Sequence, residues 1–359
     1  METEQNTKTK FSDMLPILFH KYGWFMVGGI VLLLLALPLL NLNSYLMNIL
    51  VKVGIYTTLG LGLNVLVGYT GLVSLGQAGF VAIGAYTTTI LTKQFGVNFF
   101  LAALLGAFLA GFFGLLIGLP SLRLKGTYLS IITLGFGEII RTIIIVWQPV
   151  TNGPMGIRNI PSPELFGTKL TLYNGGLFYL VLALLILVTL FCQLLINTKT
   201  GRAMRAIKGD ETAAIMMGVN VTYYKIAAFI IAAVISGLAG SIFATQLGYI
   251  DQNTFTFDMS TIILSIVIMG GMGTIRGMFV GALILVVFPE IARPLMDYRF
   301  VFYGLVLVLM MRFRPQGLLG WKDTAPYPVS KNAFNLFTEN KVSFSKKLKR
   351  ALHSETRTE

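Results

Sequence analysis

GLFYLVLALLILVTLFCQLLI (176–196) runs directly into NTKTGRAMRAIKGDETAAIMMGVNVTYYK (197–225), and this junction decides the kind of fold the chain adopts. The first stretch carries no charge over 21 residues, the length a helix needs to cross the hydrocarbon core of a bilayer. The second carries Lys199, Arg202, Arg205, Lys208 and Lys225 against Asp210 and Glu211. An apolar run ending in a basic loop is the pattern of a membrane span that terminates on the cytoplasmic side.

The same pattern extends over the whole chain. Of 359 residues, 55% are hydrophobic and only 12% charged, with a mean hydropathy of +0.75. A soluble surface requires roughly twice that share of charge, so a soluble enzyme core is excluded. Apolar runs fall at about 24–40, 45–67, 77–93, 99–119, 127–147, 176–196, 225–247, 258–275, 277–292 and 299–311, which predicts an all-α polytopic membrane protein of about ten transmembrane helices. The third and the last two runs are short or interrupted by glycine, and are read as tilted, broken or partly re-entrant. With both termini cytoplasmic, 21 of the 28 basic residues fall on the inner side. The net charge of +13 is then a topology signal and calls for no nucleic acid. The reading divides the chain into a cytoplasmic segment 1–23, a transmembrane permease domain 24–313 with an inner loop at 197–224, and a basic cytoplasmic tail 314–359. The first 22 residues are polar, and no small-residue cleavage site follows the first apolar run, which is therefore expected to be retained. Within the tail, residues 341–352 either lie on an anionic leaflet or stay solvated.

Covalent chemistry has little to work with. Cys192 is the single cysteine, and the two histidines, His20 and His353, lie in the polar ends, so no disulfide framework or metal cluster is expected. No GxxxxGK[ST] loop, HExxH or GxSxG occurs. Within 203–217, helix-favouring residues place Met204, Ile207, Ala214 and Met217 near one face, and Gly218 reads as a stop. Such a helix either docks into a groove on another protein or lies on the membrane interface.

Asp210-Glu211-x-Ala213-Ala214-x-x-x-Gly218-x-Asn220 resembles the EAA coupling loop of ABC importer permeases, in the form found in branched-chain amino acid permeases of the LivM type. Residues 61–86 (LGLNVLVGYTGLVSLGQAGFVAIGAY), 122–141 (LRLKGTYLSIITLGFGEIIR), 151–157 (TNGPMGI) and 298–320 (YRFVFYGLVLVLMMRFRPQGLLG) resemble further stretches of that family, collinearly over roughly 24–320. The resemblance implies an architecture close to type II importers in a bacterial inner or plasma membrane. It implies work with a second homologous permease of the LivH type, two cytoplasmic ATPase subunits and an extracytoplasmic solute-binding protein. ATP and Mg would sit on the ATPase subunits and no cofactor in this chain. The ATPase-coupling residues would be Asp210, Glu211, Ala213, Ala214, Gly218 and Asn220, and replacing Glu211 or Gly218 is expected to uncouple or release the ATPase. The outer loop departs from the family's Gly-Gly-Pro-Asn-Gly at Asn152-Gly-Pro-Met-Gly156. Urea and short amides are therefore the alternative cargo to leucine, isoleucine and valine.

Candidate pathway residues are Asn64, Ser74, Gln77, Thr133, Glu138, Asn152 and Gly153. Glu138 and Arg141 stand i, i+3 and either neutralise each other or contact solute. Thr133, Gly135 and Gly137 would permit local unwinding. Asn64, Ser74 and Gln77 either bond between helices or line the pathway. An ion-coupled secondary transporter, the competing class, needs an intramembrane acid free to carry the ion, and Glu138 is the one acid read as clearly within a span. Gly273, Gly277 and Gly281 around Arg276 read as a tight helical hairpin, and Gly114-x-x-x-Gly118 as a helix-packing face.

Overall fold

The structure is a computed structural model that describes residues 43–121, 126–165 and 167–291, and further on 301, 304–305, 308–309, 312–313 and 317–319. The 24–40 run, most of the 299–311 run, the basic turn 122–125, the N-terminal segment and the tail beyond 319 lie outside the described residues. The helices are α1 (Ser44–Asn64, continued by a π turn, Val65–Tyr69), α2 (Gln77–Gln94), α3 (Phe99–Ser121) and α4 (Thr127–Val146). They continue with α5 (Gln148–Thr151), α6 (Gly176–Asn197), α7 (Lys199–Gly209), α8 (Glu211–Met216), α9 (Val221–Leu247), α10 (Phe257–Gly270) and α11 (Ile275–Ile291). Four two-residue strands form two ribbons; β1 (Ile157–Arg158) pairs antiparallel with β4 (Tyr249–Ile250), and β2 (Glu164–Leu165) with β3 (Thr168–Lys169). Among the described residues, five helices are long and apolar enough to cross a membrane: α1 with its π turn, α3, α4, α6 and α9. The shorter α2, α10 and α11 pack among them.

α9 is the centre of the bundle. Its Ala228, Ala232, Ala233, Ser236, Gly237, Ala239, Gly240, Ser241 and Ala244 are buried, a small-residue surface against which α2, α3 and α1 pack closely. Without Cβ bulk, the backbones of α2 and α9 meet at Gly84 and Gly237. The Thr88 and Ser241 hydroxyls share a hydrogen bond of 2.7 Å across that seam. A Cβ on Gly114 would stand 2.7 Å from Ala233 Cβ, so α3 uses the packing face read from the sequence. At the other side of the bundle α1 and α11 are tied by Lys52 Nζ to Glu290 Oε1 (3.1 Å) and by Tyr45 donating to Glu290 Oε2 (2.9 Å).

The contacts sort the connections into two ends. One end holds α7, α8, the π turn and the 271–274 turn, because Lys208 reaches Gly68 and the Gly273 amide reaches Asn64. The other holds the 148–160 loop, the end of α2 and the β1–β4 ribbon, where Lys93 Nζ donates to the Arg158 carbonyl at 2.6 Å. The 258–275 run stops early, at Gly270, because Gly271 at φ 115° turns the chain into the expected hairpin.

Candidate functional site

The segment 197–220 is built by three successive side-chain caps. Thr198 Oγ1 accepts from the Gly201 amide (3.4 Å) and starts α7. Asp210 Oδ1 accepts from the amides of Thr212 (2.8 Å) and Ala213 (3.1 Å) and starts α8. Asn220 Oδ1 accepts from the Tyr223 amide (3.1 Å) and starts α9. The helix expected over 203–217 is therefore two helices, because the Asp210 backbone is extended (φ −154°, ψ 115°) and its carboxylate takes the free amides of the next turn. Gly218, at φ 79°, closes α8, with its amide on Ile215 O (2.9 Å) and that of Val219 on Ala214 O (3.0 Å). Ile207, Ala214 and Val221 form a small buried cluster that holds the pieces together, and Met204 packs into the main core. Met217 does not join that face as expected; Met216 and Met217 are 81% and 84% exposed beside exposed Ile215 and Tyr223.

The acidic pair has internal work. Glu211 Oε1 lies 2.8 Å from Lys225 Nζ, whose side chain is almost fully buried at the foot of α9. Glu211 therefore neutralises a cation that packing has removed from water. Lys208 extends along the surface, and its ammonium donates to the Gly68 carbonyl at 2.8 Å. Desolvation there lowers its pKa below the ordinary 10.5.

Between the π turn and α2, residues 71–76 are not helical. Hydroxyls satisfy the backbone this break leaves open. Thr133 Oγ1 accepts from the Leu75 amide (3.0 Å), Ser74 Oγ from Gly76 (3.3 Å) and Ser260 Oγ from Ala78 (2.9 Å), while Ser130 donates to Val73 O (3.1 Å). Irregular backbone within a span persists only where protein or a water-filled cavity surrounds it. One side of the break remains open, with Gly71 and Val73 exposed. α4 lies beside it and is a continuous helix, so the unwinding expected at Thr133–Gly137 occurs instead at 71–76. Glu138 and Arg141 pair at 3.2 Å, with side chains 44% and 33% exposed, and Arg141 also reaches Asn253 Oδ1 (3.4 Å).

Residues 45–311 match the family described as "Branched-chain amino acid transport system / permease component". The chain belongs to this family. It is 40% identical over 287 residues, 74% of this chain and 68% of the relative, to the high-affinity branched-chain amino acid transport system permease protein LivM of Escherichia coli K12. It is 26% identical to the probable LivM of Methanocaldococcus jannaschii, over 80% of this chain and 97% of the relative. Over half its length it is 31% identical to the autoinducer 2 import system permease protein LsrC of Salmonella paratyphi B. No solved structure matches. The chain is a transport permease component and not an enzyme.

Apart from Glu138, the candidate residues of this permease occupy four places. Asp210, Glu211, Ala213, Ala214, Gly218 and Asn220 form one hairpin-like unit in which Ala214 is buried and the named polar groups act as caps or as the Lys225 counter-ion. Ser74, Gln77 and Thr133 meet at the break, where Gln77 Oε1 accepts from Ser236 (3.2 Å) and its Nε2 has no partner among the described residues. Asn64 is not with them: it sits at the turn end and accepts from the Gly273 amide (2.8 Å). Asn152 and Gly153, at φ 64° and 53°, lie at the opposite end, where Asn152 Nδ2 donates to Gly156 O (2.9 Å). Asn152 borders a recess of about 240 Å³ lined also by Lys93, Gln94 and Gln148. Sequence reasoning passes over Glu290, a second acid within a span, although it and Lys52 each interrupt an apolar run. It also passes over Ser130, Ser236 and Ser260, whose short hydroxyls carry no signal until their partners are known.

Proposed function

We propose that this chain is the membrane-spanning permease subunit of an ATP-driven importer of branched-chain amino acids, with ten spans and both termini in the cytoplasm of a bacterial cell. A second permease of the LivH type, two cytoplasmic ATPase subunits and an extracytoplasmic solute-binding protein complete it. The ATPase subunits hold ATP and Mg and drive alternating access. The observation that carries this reading is the exposed Ile215–Met216–Met217 tip, held on a capped unit whose polar groups are already engaged. Adaptable apolar side chains on a rigid mount suit insertion into a cleft on another protein. The pathway face is the open side of the 71–76 break together with Glu138 and Arg141, since a half-exposed ion pair on a span is costly against lipid and acceptable against water or a second permease. Glu138 and Glu290 each already hold a cation, which argues against a self-sufficient ion-coupled carrier.

The test is co-purification of the ATPase subunits with the full chain and with Met216→Ser/Met217→Ser. The wild-type chain retains them and the double variant loses most of them at unchanged membrane level. Equal retention contradicts the docking tip. Competition of leucine against urea in the same assembled system separates the two cargo classes.

A further inference from the structure

The docking unit and the pathway break are joined at one place. Lys208, the penultimate residue of α7, donates to the carbonyl of Gly68 inside the π turn. Gly68 has no room for a side chain, because a Cβ would collide with Asn64 Oδ1 and the Gly273 amide. That amide, at a residue with φ 95°, donates to Asn64 Oδ1 (2.8 Å), and Asn64 is 1% exposed with its Nδ2 unpartnered. A Cβ placed on Gly71, just beyond the turn, would stand 3.3 Å from Lys208 Cγ, so the Lys208 stem lies over this residue. Gly71 belongs to the irregular stretch 71–76 that leads from the turn into α2.

A π turn holds one residue more than the α register and recurs at functional sites as a single-turn bulge. Returning it to α register rotates the chain beyond it by about 100° and shifts that chain by about 1.5 Å. The α and π registers are two discrete arrangements of one turn, the kind of element through which two sites couple.

Resting on the permease reading above, we propose that Lys208 is the positioning residue that carries movement of the docking unit into the π turn, and through it into the 71–76 stretch on the pathway face. The tether rests on geometry: the Lys208 ammonium sits 2.8 Å from the Gly68 carbonyl, and its stem lies over Gly71.

The experiment uses the assembled transporter with Val73→Cys as reporter; Val73 is exposed and the native Cys192 is fully buried. Labelling by a membrane-impermeant thiol reagent is compared with and without ATP, beside solute moved per ATP hydrolysed. In the wild-type background labelling changes several-fold with nucleotide. Lys208→Met retains the ATPase subunits, loses the nucleotide dependence and moves at least tenfold less solute per ATP, and Lys208→Arg restores part of both. Nucleotide-dependent labelling and coupling within twofold of wild type in Lys208→Met overturns the tether while leaving the permease reading intact. Failure of the wild-type chain to hold ATPase subunits overturns the permease reading and the tether with it.

Discussion

At Glu211 and Lys225 the family motif and the physics of burial give different accounts of the same residue. The motif reads Glu211 as a contact for the ATPase, yet its carboxylate lies 2.8 Å from an ammonium on a residue that is 3% exposed. Glu211→Gln leaves that charge with a neutral partner and is expected to cost about 3 kcal/mol, seen as a lowered unfolding temperature in detergent. Glu211→Gln/Lys225→Met recovers most of the loss, and a single variant as stable as wild type would contradict the pairing. Release of ATPase by Glu211 variants then reports a damaged mount as readily as a lost contact, so Met216 and Met217 are the cleaner probes. Lys208 adds a pH dependence of defined sign. Its folded pKa lies below 10.5, so between that lowered value and 10.5 the unfolded chain binds more protons and this residue's contribution to stability rises with pH. The unfolding-temperature difference between wild type and Lys208→Met should shift toward wild type as pH rises through that window. Neither partnership is legible in the sequence, since Lys225 lies 14 residues and Gly68 140 residues from its partner.

Elements are most legible where an apolar run has a clear end. The starts of α2, α3, α4 and α6 coincide with those of their runs because Gly, Asn and Lys punctuate them, while α9 extends four residues before its run to the Asn220 cap. Propensity is continuous from 203 to 217 and so reads the inner segment as one helix. A single capping aspartate outweighs it by satisfying two amides at once. Glycine content misleads at α4, where Gly135 and Gly137 sit in intact helix. The real break comes after the π turn, where Thr133, Ser74, Ser130 and Ser260 accept or donate what the backbone lost. Gly218→Ala, forced to φ 79°, is expected to cost about 1–2 kcal/mol, with Gly218→Asn costing less; equal melting of the two variants would argue against the left-handed closure of α8.

At the scale of the molecule, the described helices run between two ends whose chemistry differs. One end carries the capped docking unit and the 271–274 turn, the other the loop 148–160 and its recess. The composition foretells a membrane bundle, and the motifs foretell the family. The proposed pathway face is not legible in the sequence, because it rests on the open side of the 71–76 stretch and on the half-exposure of the Glu138–Arg141 pair, both of which only the fold sets. Arg141→Leu is expected to reduce solute uptake at least tenfold while leaving ATPase capture unchanged; full uptake would remove this pair from the pathway face. The most direct measurement of the central claim is uptake of labelled leucine into proteoliposomes holding this chain, its homologous permease and the ATPase subunits, with the binding protein outside. The account predicts accumulation that requires lumenal ATP and disappears when any of the partners is omitted. Leucine accumulation by this chain alone under a proton gradient, without ATP, would contradict it.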